Sequence, residues 1–338
     1  MPLVISQEDL RDLVASPEGI RRAIDMLQDG LRLAHAGGNG TTVFGDVALE
    51  GDNFVKILGC AGPGQAMSVQ CFAAQGNPAS DVDARIMLLF DGTSGGLQAL
   101  IAADDLNALR TAVPAGLGAR HLAPEGARVL GILGAGYQAE NHALTLTAAV
   151  PGLEHVLVWS PTPASRERFA AEQGQRLGLE VVACDTAEEV VRRADVLTAA
   201  GRTPGHQAAY EASWVKPGSL LISMTGSAPG ELLREARFVV PTLRRPRLVA
   251  FGFVGTAAPK PLPDPAGTVE LAEIMAGVEP VRTHPAQNVI WELAQVYLWD
   301  PPMAAWAYEW AVEHDRGTAV ELSAVAAATE RRTDAAVP

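Results

Sequence analysis

Positive charge is scarce in this sequence. Its 338 residues carry 26 Lys and Arg against 39 Asp and Glu, a formal charge of −13. No basic stripe gathers to meet nucleic-acid phosphates or an anionic bilayer, so neither nucleic acid nor a membrane is expected as a partner. Cysteine is scarcer still. Cys60, Cys71 and Cys184 form no CxxC pair and are odd in number, which argues against a disulfide framework or a zinc site and suits buried thiols in a reducing compartment. No continuous apolar stretch reaches the length of a membrane span, and the N-terminus shows no basic start followed by an apolar run, so a soluble cytoplasmic protein without a metal is expected. Lysine is nearly missing: arginine supplies all but Lys56, Lys216 and Lys260, and each of those three stands out.

What is present is apolar. Hydrophobic residues make up 48% of the chain, enough at this length to fill the cores of two domains. Residues 7–36 space Leu10, Leu13 and Val14, then Ile20, Ile24, Leu27 and Leu31, at helical intervals, and Ser16-Pro17-Glu18 has the form of a helix start. From Thr41 to Ala103 the text changes to short apolar runs at 54–58, 66–73, 86–90 and 97–102 separated by turn residues. This reads as an antiparallel meander with a hairpin turn at Asp91 to Gly95. An Ala-rich helix over 106–122 is stopped by Pro124-Glu125-Gly126. Strands at 129–133, 155–159, 179–183 and 196–199 then alternate with helices at 138–149, 163–177 and 187–193, as βαβ units around a parallel sheet do. Further strands are expected at 219–224, 238–241 and 318–322, and helices at 270–275 and from Pro301 to His314. The proline-rich 244–267 is left open, and 331–338 reads as a flexible tail.

Gly134-Ala135-Gly136-Tyr137-Gln138-Ala139 follows the first parallel strand directly and opens its helix, the setting in which a GxGxxA pattern binds a dinucleotide. Gly134 permits the tight turn, Gly136 lets the backbone approach a pyrophosphate, and Ala139 allows close helix-to-strand packing. The helix N-terminus then faces the phosphates, with Tyr137 and Gln138 in its first turn. A glycine turn that merely packs is the competing reading, weakened by the βα repeats around it. The second strand ends at Ser160-Pro161-Thr162, where an acid ordinarily grips the ribose hydroxyls of NAD. Without that acid, Ser160 and Thr162 are placed to hydrogen-bond a 2′-phosphate, with Arg166 or Arg168 supplying positive charge. NADP is therefore expected, with NAD possible; the alternative leaves both arginines facing solvent.

An ordered series of local texts resembles the ornithine cyclodeaminase and mu-crystallin family: Phe54-Val55-Lys56, Leu89-Phe90-Asp91 to Gly95, Leu109-Arg110-Thr111-Ala112, the glycine turn, Trp214 to Gly218, Gly226 to Glu231, Glu273-Ile274 with Gly277, and Asp300 before an Ala-rich helix. The resemblance implies an α/β fold in which a Rossmann domain (123–297) is inserted into an α+β domain (1–122) completed by a C-terminal helix within 298–330. It also implies a homodimer formed through the N-terminal sheets, and a cleft holding a small carboxylic-acid substrate beside the nicotinamide. Lys56 would then serve the substrate, Arg110 its carboxylate, and Asp300 the nicotinamide end; Thr111, beside Arg110, is expected to contact either the cofactor or the backbone, and Ser227 is expected among the cofactor-binding residues. The residue types suit those roles. A lysine within an apolar strand must be paired or depressed in pKa, and so can protonate an imine; a guanidinium clamps a carboxylate through two parallel hydrogen bonds. Each has a plainer reading: Lys56 reaching solvent by its stem, Arg110 bridged to Asp104 or Asp105, Asp300 capping a helix.

Three departures from the family pattern qualify the substrate. Ser227 stands where cyclodeaminases carry an aspartate, and a hydroxyl cannot act as a carboxylate base near neutral pH. The family's arginine shortly before the strand matching 47–49 is missing, since no Arg occurs between Arg32 and Arg85. Gln295 replaces a glycine beside the nicotinamide. The expected activity is NAD(P)H-dependent reduction of an imine or keto group in a small carboxylic acid, as in ketimine reductases and amino-acid dehydrogenases. Cyclodeamination of an amino acid and non-catalytic NADP binding are the alternatives.

Overall fold

The computed structural model of the chain describes residues 1–38, 40–48, 54–62, 66–74, 85–200, 210–223, 228–241, 267–293 and 296–322; the tail expected at 331–338 lies outside them. Helices α1 (Gln7–Ala15) and α2 (Pro17–His35) begin where their caps predict. Ser6 and Asp9 form a reciprocal capping box, and the Ser16 hydroxyl accepts from the Gly19 amide at 3.2 Å with Pro17 in the first turn. Such caps stabilise a helix by about 1 kcal/mol each. The helical spacing in α2 buries Ile20, Ala23, Ile24, Leu27, Leu31 and Ala34 on one face.

The meander follows as β2 (Thr41–Ala48), β3 (Phe54–Ala61), β4 (Ala66–Ala74), β5 (Arg85–Asp91) and β6 (Leu97–Ala102), each antiparallel to the next. The Asp91 carboxylate closes the expected hairpin turn by accepting from the Thr93 and Ser94 amides, with Gly95 at φ 71°. Two short strands complete this sheet. Strand β1 (Leu3–Ile5) runs parallel to β6, and β15 (Thr318–Ala319) pairs antiparallel with β1. At two and three residues they carry no readable period, which is why β1 is not evident from sequence.

Helix α3 (Asp104–Leu122) leads into the second layer: β7 (Val129–Leu133), α4 (Tyr137–Ala149), β8 (His155–Trp159), α5 (Pro163–Leu177), β9 (Glu180–Ala183), α6 (Ala187–Arg193), β10 (Val196–Ala199), β11 (Leu220–Ser223), β12 (Arg237–Val240), β13 (Thr268–Glu270), α7 (Leu271–Met275) and β14 (Val289–Glu292). Its sheet has the order β13-β12-β14-β11-β10-β7-β8-β9 with every pairing parallel. This is the Rossmann-like sheet of a two-domain α/β architecture. The order reverses between β7 and β10, so a crevice opens at their C-terminal ends. Strands β13 and β14, absent from the sequence reading, are too short to show a period; β14 enters the sheet between β11 and β12.

The last helix, α8 (Val296–Glu313), returns to pack on β3, β4, β5 and α2. It begins five residues before the predicted Pro301 start and holds both Pro301 and Pro302 inside it. Proline in a helix interior ordinarily costs about 3 kcal/mol, but Leu298 and Trp299 are buried here and the Trp299 indole donates to the Leu293 carbonyl at 3.0 Å. Tertiary packing thus outweighs the local penalty.

The two layers meet along α3. Trp291 of β14 is fully buried and its Nε1 donates to the Pro114 carbonyl at 2.9 Å. A Cβ at Gly118 would lie 2.4 Å from that indole ring. Gly118→Ala is expected to destabilise the protein by about 1–3 kcal/mol, because a ring held by its own hydrogen bond cannot retreat. Gly30→Ala, whose added Cβ meets nothing within 4 Å on α2, is expected to be neutral or stabilising by up to ~1 kcal/mol. Urea midpoints of the two variants check the contrast; equal destabilisation would show that the indole is not wedged.

Candidate active site

The glycine turn has the geometry its sequence calls for. Gly134 adopts φ 124° and its amide donates to the Trp159 carbonyl at 2.8 Å, tying the end of β7 to β8. A side chain would be strained there. Gly136 is the N-cap of α4 and supplies no side-chain cap, and the first helical bond runs from Glu140 N to Gly136 O. The amides of Tyr137, Gln138 and Ala139 are thus left without intrahelical partners at the crevice. A Cβ on Gly136 meets nothing within 4 Å, Ala139 is fully buried, and Gln138 Oε1 is buried without a partner. Open space before unpaired helix amides fits a pyrophosphate.

At the end of β8, the buried Ser160 hydroxyl donates to the Thr162 carbonyl at 3.0 Å, and Thr162 is the exposed N-cap of α5. Arg166 does not face solvent. Its side chain is 12% exposed, one terminal nitrogen donating to the Ser160 carbonyl at 3.2 Å and the other to the exposed Asp185 at 2.8 Å. Arg168 pairs with Glu172 and Glu140 and reaches the Ala135 carbonyl at 3.4 Å. Arg168 therefore borders the glycine turn, and Arg166 the end of β8.

A second polar cluster lies where α3, α8 and the meander sheet meet. The Asn107 Oδ1 accepts from Gln70 Nε2 of β4 at 3.1 Å and from Arg110 Nε at 2.9 Å. Arg110 Nε is also 3.4 Å from Asp300 Oδ1. Asp300 is not an N-cap: it sits inside α8, fully buried. Burial raises its pKa above the ordinary carboxylate value, opposed by Arg110 and then Arg85. Nor does Arg110 bridge to Asp104 or Asp105. Those residues form the first turn of α3, where Asp104 accepts from Gln7 at 2.9 Å and Asp105 from the Tyr137 hydroxyl. That last bond joins the nucleotide turn to the helix bearing Arg110. Thr111 spends its hydroxyl on the Asn107 carbonyl at 3.2 Å.

Lys56 lies in β3, its backbone in register with Phe72 of β4, which in turn faces Arg85 of β5; its side chain is outside the described residues, as are Ser227 and Gln295. Two ionisable groups escaped the sequence reading. Glu292 ends β14 fully buried and accepts from the Ser223 hydroxyl at 2.7 Å; an acid closing an otherwise apolar run was its only signal. His142 is buried in α4, with Nδ1 3.0 Å from the Thr198 hydroxyl of β10. This contact braces the nucleotide-facing helix against one wall of the crevice. Among the described residues, no group of three or more His, Cys, Asp or Glu is arranged to hold a metal, and no helix is long and apolar enough to cross a membrane.

Comparison with known proteins supplies the context. The model of the ornithine cyclodeaminase/mu-crystallin family matches residues 68–315. Mouse ketimine reductase mu-crystallin is 33% identical over 157 residues, 44% of this chain and 48% of the mouse protein, so the match spans about half of that relative. A probable ornithine cyclodeaminase from Bordetella pertussis Tohama I superposes with a TM-score of 0.76 at 26% identity, covering 94% of this chain and 100% of that one. The Delta(1)-pyrroline-2-carboxylate reductase of Thermococcus litoralis, solved with NADH and L-proline, has the same fold, with a TM-score of 0.75, 22% identity and coverage of 94% and 100%.

Gly136→Val is expected to weaken NADPH and NADH binding by more than about tenfold, ~1.4 kcal/mol, since the methyls would fill the open space before the helix. Its φ of −101° accommodates valine, so melting should be unchanged; unchanged affinity by calorimetry would remove the nucleotide from this turn. His142 carries a pH signature. Burial depresses its pKa from 6.5 to about 4, so the unfolded chain takes up the proton first. The contribution is complete above pH 6.5 and lost as pH falls toward 4, a decline of about 3 kcal/mol. His142→Gln should flatten that decline in urea midpoints measured from pH 7 to 4.5; an unaltered slope would assign it to other groups.

Proposed function

The chain belongs to the ornithine cyclodeaminase/mu-crystallin family, and on that premise we propose that it is an NAD(P)H-dependent reductase of an imine or keto group in a small carboxylic acid. The observation that carries this reading is the Tyr137–Asp105 hydrogen bond, which sets the nucleotide turn against the helix that presents Arg110. The nucleotide and the acceptor's carboxylate thereby occupy neighbouring ends of one crevice. When bound, a reduced nicotinamide supplies the hydride. Arg110 orients the acceptor: its Nε is occupied by Asn107, leaving the two terminal nitrogens for a carboxylate. Lys56 donates the proton that the imine nitrogen or keto oxygen takes as the adjacent carbon accepts hydride. Asp300 holds the Arg110 side chain from behind, and Thr111 and Ser227 border the nicotinamide end. NADPH is the preferred cofactor, with Ser160, Thr162 and Arg166 receiving its 2′-phosphate, and the protein works as a homodimer through its N-terminal sheets.

The test is a screen of small 2-oxo acids, with and without methylamine or ammonia, for consumption of NADPH and NADH. Consumption, faster with NADPH, is the expected result. Product formation without net change in cofactor would make the protein a cyclodeaminase, and cofactor binding with neither would make it a binding protein. On a verified acceptor, Lys56→Met should lower kcat at least about a hundredfold with dinucleotide affinity intact. Arg110→Lys keeps the charge but loses the fork, and should raise KM more than it lowers kcat. Wild-type kinetics in both variants would make the two residues structural.

A further inference from the structure

The reductase reading leaves one half-buried cation without a task. Arg85 opens β5, and its guanidinium lies 4.5 Å over the Phe72 ring. Register places Lys56, Phe72 and Arg85 on three successive strands in one row across the sheet. Stacking on an aromatic face holds a guanidinium plane in a fixed orientation without consuming its hydrogen bonds. One of those bonds is unspent: Arg85 Nε is buried without a hydrogen-bond partner among the described residues.

The neighbouring charges sharpen the point. Burial, and after it the cation of Arg110, pull the Arg85 pKa below its ordinary value, with Asp104 and Asp300 acting in the opposite sense. Geometry brings the two arginines to the same side of the sheet: Phe72, which carries Arg85, is two residues from Gln70 on β4, and Gln70 is joined to Arg110 through Asn107, beside the fully buried carboxylate of Asp300. Asp300 hydrogen-bonds neither of them closely; its nearest approach is the 3.4 Å to Arg110 Nε, and both of its oxygens are buried without a hydrogen-bond partner. Asp104 is already engaged by Gln7. A half-buried guanidinium with a buried nitrogen left unpaired, close to a second cation, is costly. An anion entering between the two would relieve the repulsion and satisfy both forks.

We propose that Arg85 is a second acceptor-binding arginine, which closes with Arg110 on the carboxylate of the substrate. It is the only arginine between residues 33 and 109, so it supplies from β5 the charge that the sequence lacks ahead of β3. The planar, bidentate geometry selects a carboxylate over a neutral carbonyl compound of the same size. The inference rests on the reductase reading for the identity of the acceptor, while the anion site itself is tested without turnover.

The test is calorimetric titration of the full chain with pyruvate and with its neutral analogue pyruvamide, in the absence of amine. The wild type should bind pyruvate more tightly than pyruvamide. Arg85→Gln should weaken pyruvate at least tenfold and leave pyruvamide unchanged, and Arg85→Lys should fall between the two. Unchanged pyruvate affinity in Arg85→Gln, equal losses for both compounds, or a wild type without preference for pyruvate each overturns the proposal. Should Arg85→Gln fail to melt cooperatively, phenylglyoxal modification of the wild type read by mass spectrometry decides. Pyruvate but not pyruvamide should protect Arg85, and equal modification in the presence of either overturns the assignment. Arg85-dependent pyruvate binding in a protein that never consumes NAD(P)H would reject the reductase reading alone.

Discussion

The arrangement of this molecule depends on how closely other elements approach α3. Gly118 gives the Trp291 indole room against the helix, and the Pro114 carbonyl receives its N–H. Two residues earlier Gly116 does the same for α4, where a Cβ would stand 2.6 Å from the Thr145 methyl. Pro114, having no N–H, also leaves the Arg110 carbonyl without its helical donor. One helix thus joins the meander layer to the parallel layer through residues chosen for small size. It carries Arg110 on the turn before that seam and Asp105 at its start. Displacing α3 would separate the nucleotide turn from the cationic cluster, because the Tyr137–Asp105 bond and the Trp291 contact both end on it.

Electrostatics set the second constraint. Burying Asp300 among arginines costs desolvation that the partial contacts present do not fully return, and the carboxyl is accordingly raised in pKa rather than held as a tight ion pair. The chain as a whole is acidic, yet Arg110 lies beside the buried Asp300, and Arg166 and Arg168 are held by Asp185 and by Glu140 and Glu172. Cations held in place before a ligand arrives need no reorganisation when it does.

The family resemblance read from short texts is borne out by the family match, and the α/β architecture by the two sheets. The parts legible in the sequence share a property: their signal is local. The Ser16-Pro17 cap, the 3.6-residue spacing of α2, the Asp91 turn and the strand–glycine–helix text of β7 and α4 are each decided within a dozen residues by backbone sterics, capping and periodic burial. Where local and tertiary preferences diverged, the sequence misled. Pro301 and Pro302 marked a helix start on local grounds, yet the buried Leu298 and Trp299 carry α8 back to Val296 and turn Asp300 from a cap into a buried partner of Arg110.

The sequence by itself determined the kind of protein this is: an α/β chain of the ornithine cyclodeaminase/mu-crystallin family with a glycine turn between strand and helix, and with Lys56, Arg110 and Asp300 worth attention. Only the tertiary structure decided who faces whom. It paired Arg110 with Asn107 and Asp300 instead of Asp104 or Asp105, bound Tyr137 to Asp105, and brought Arg85 into a row with Phe72 and Lys56. The physical reason is that strand register and helix crossing are fixed by long-range burial. Two residues 25 or 190 positions apart acquire a common environment only once the apolar faces between them have packed.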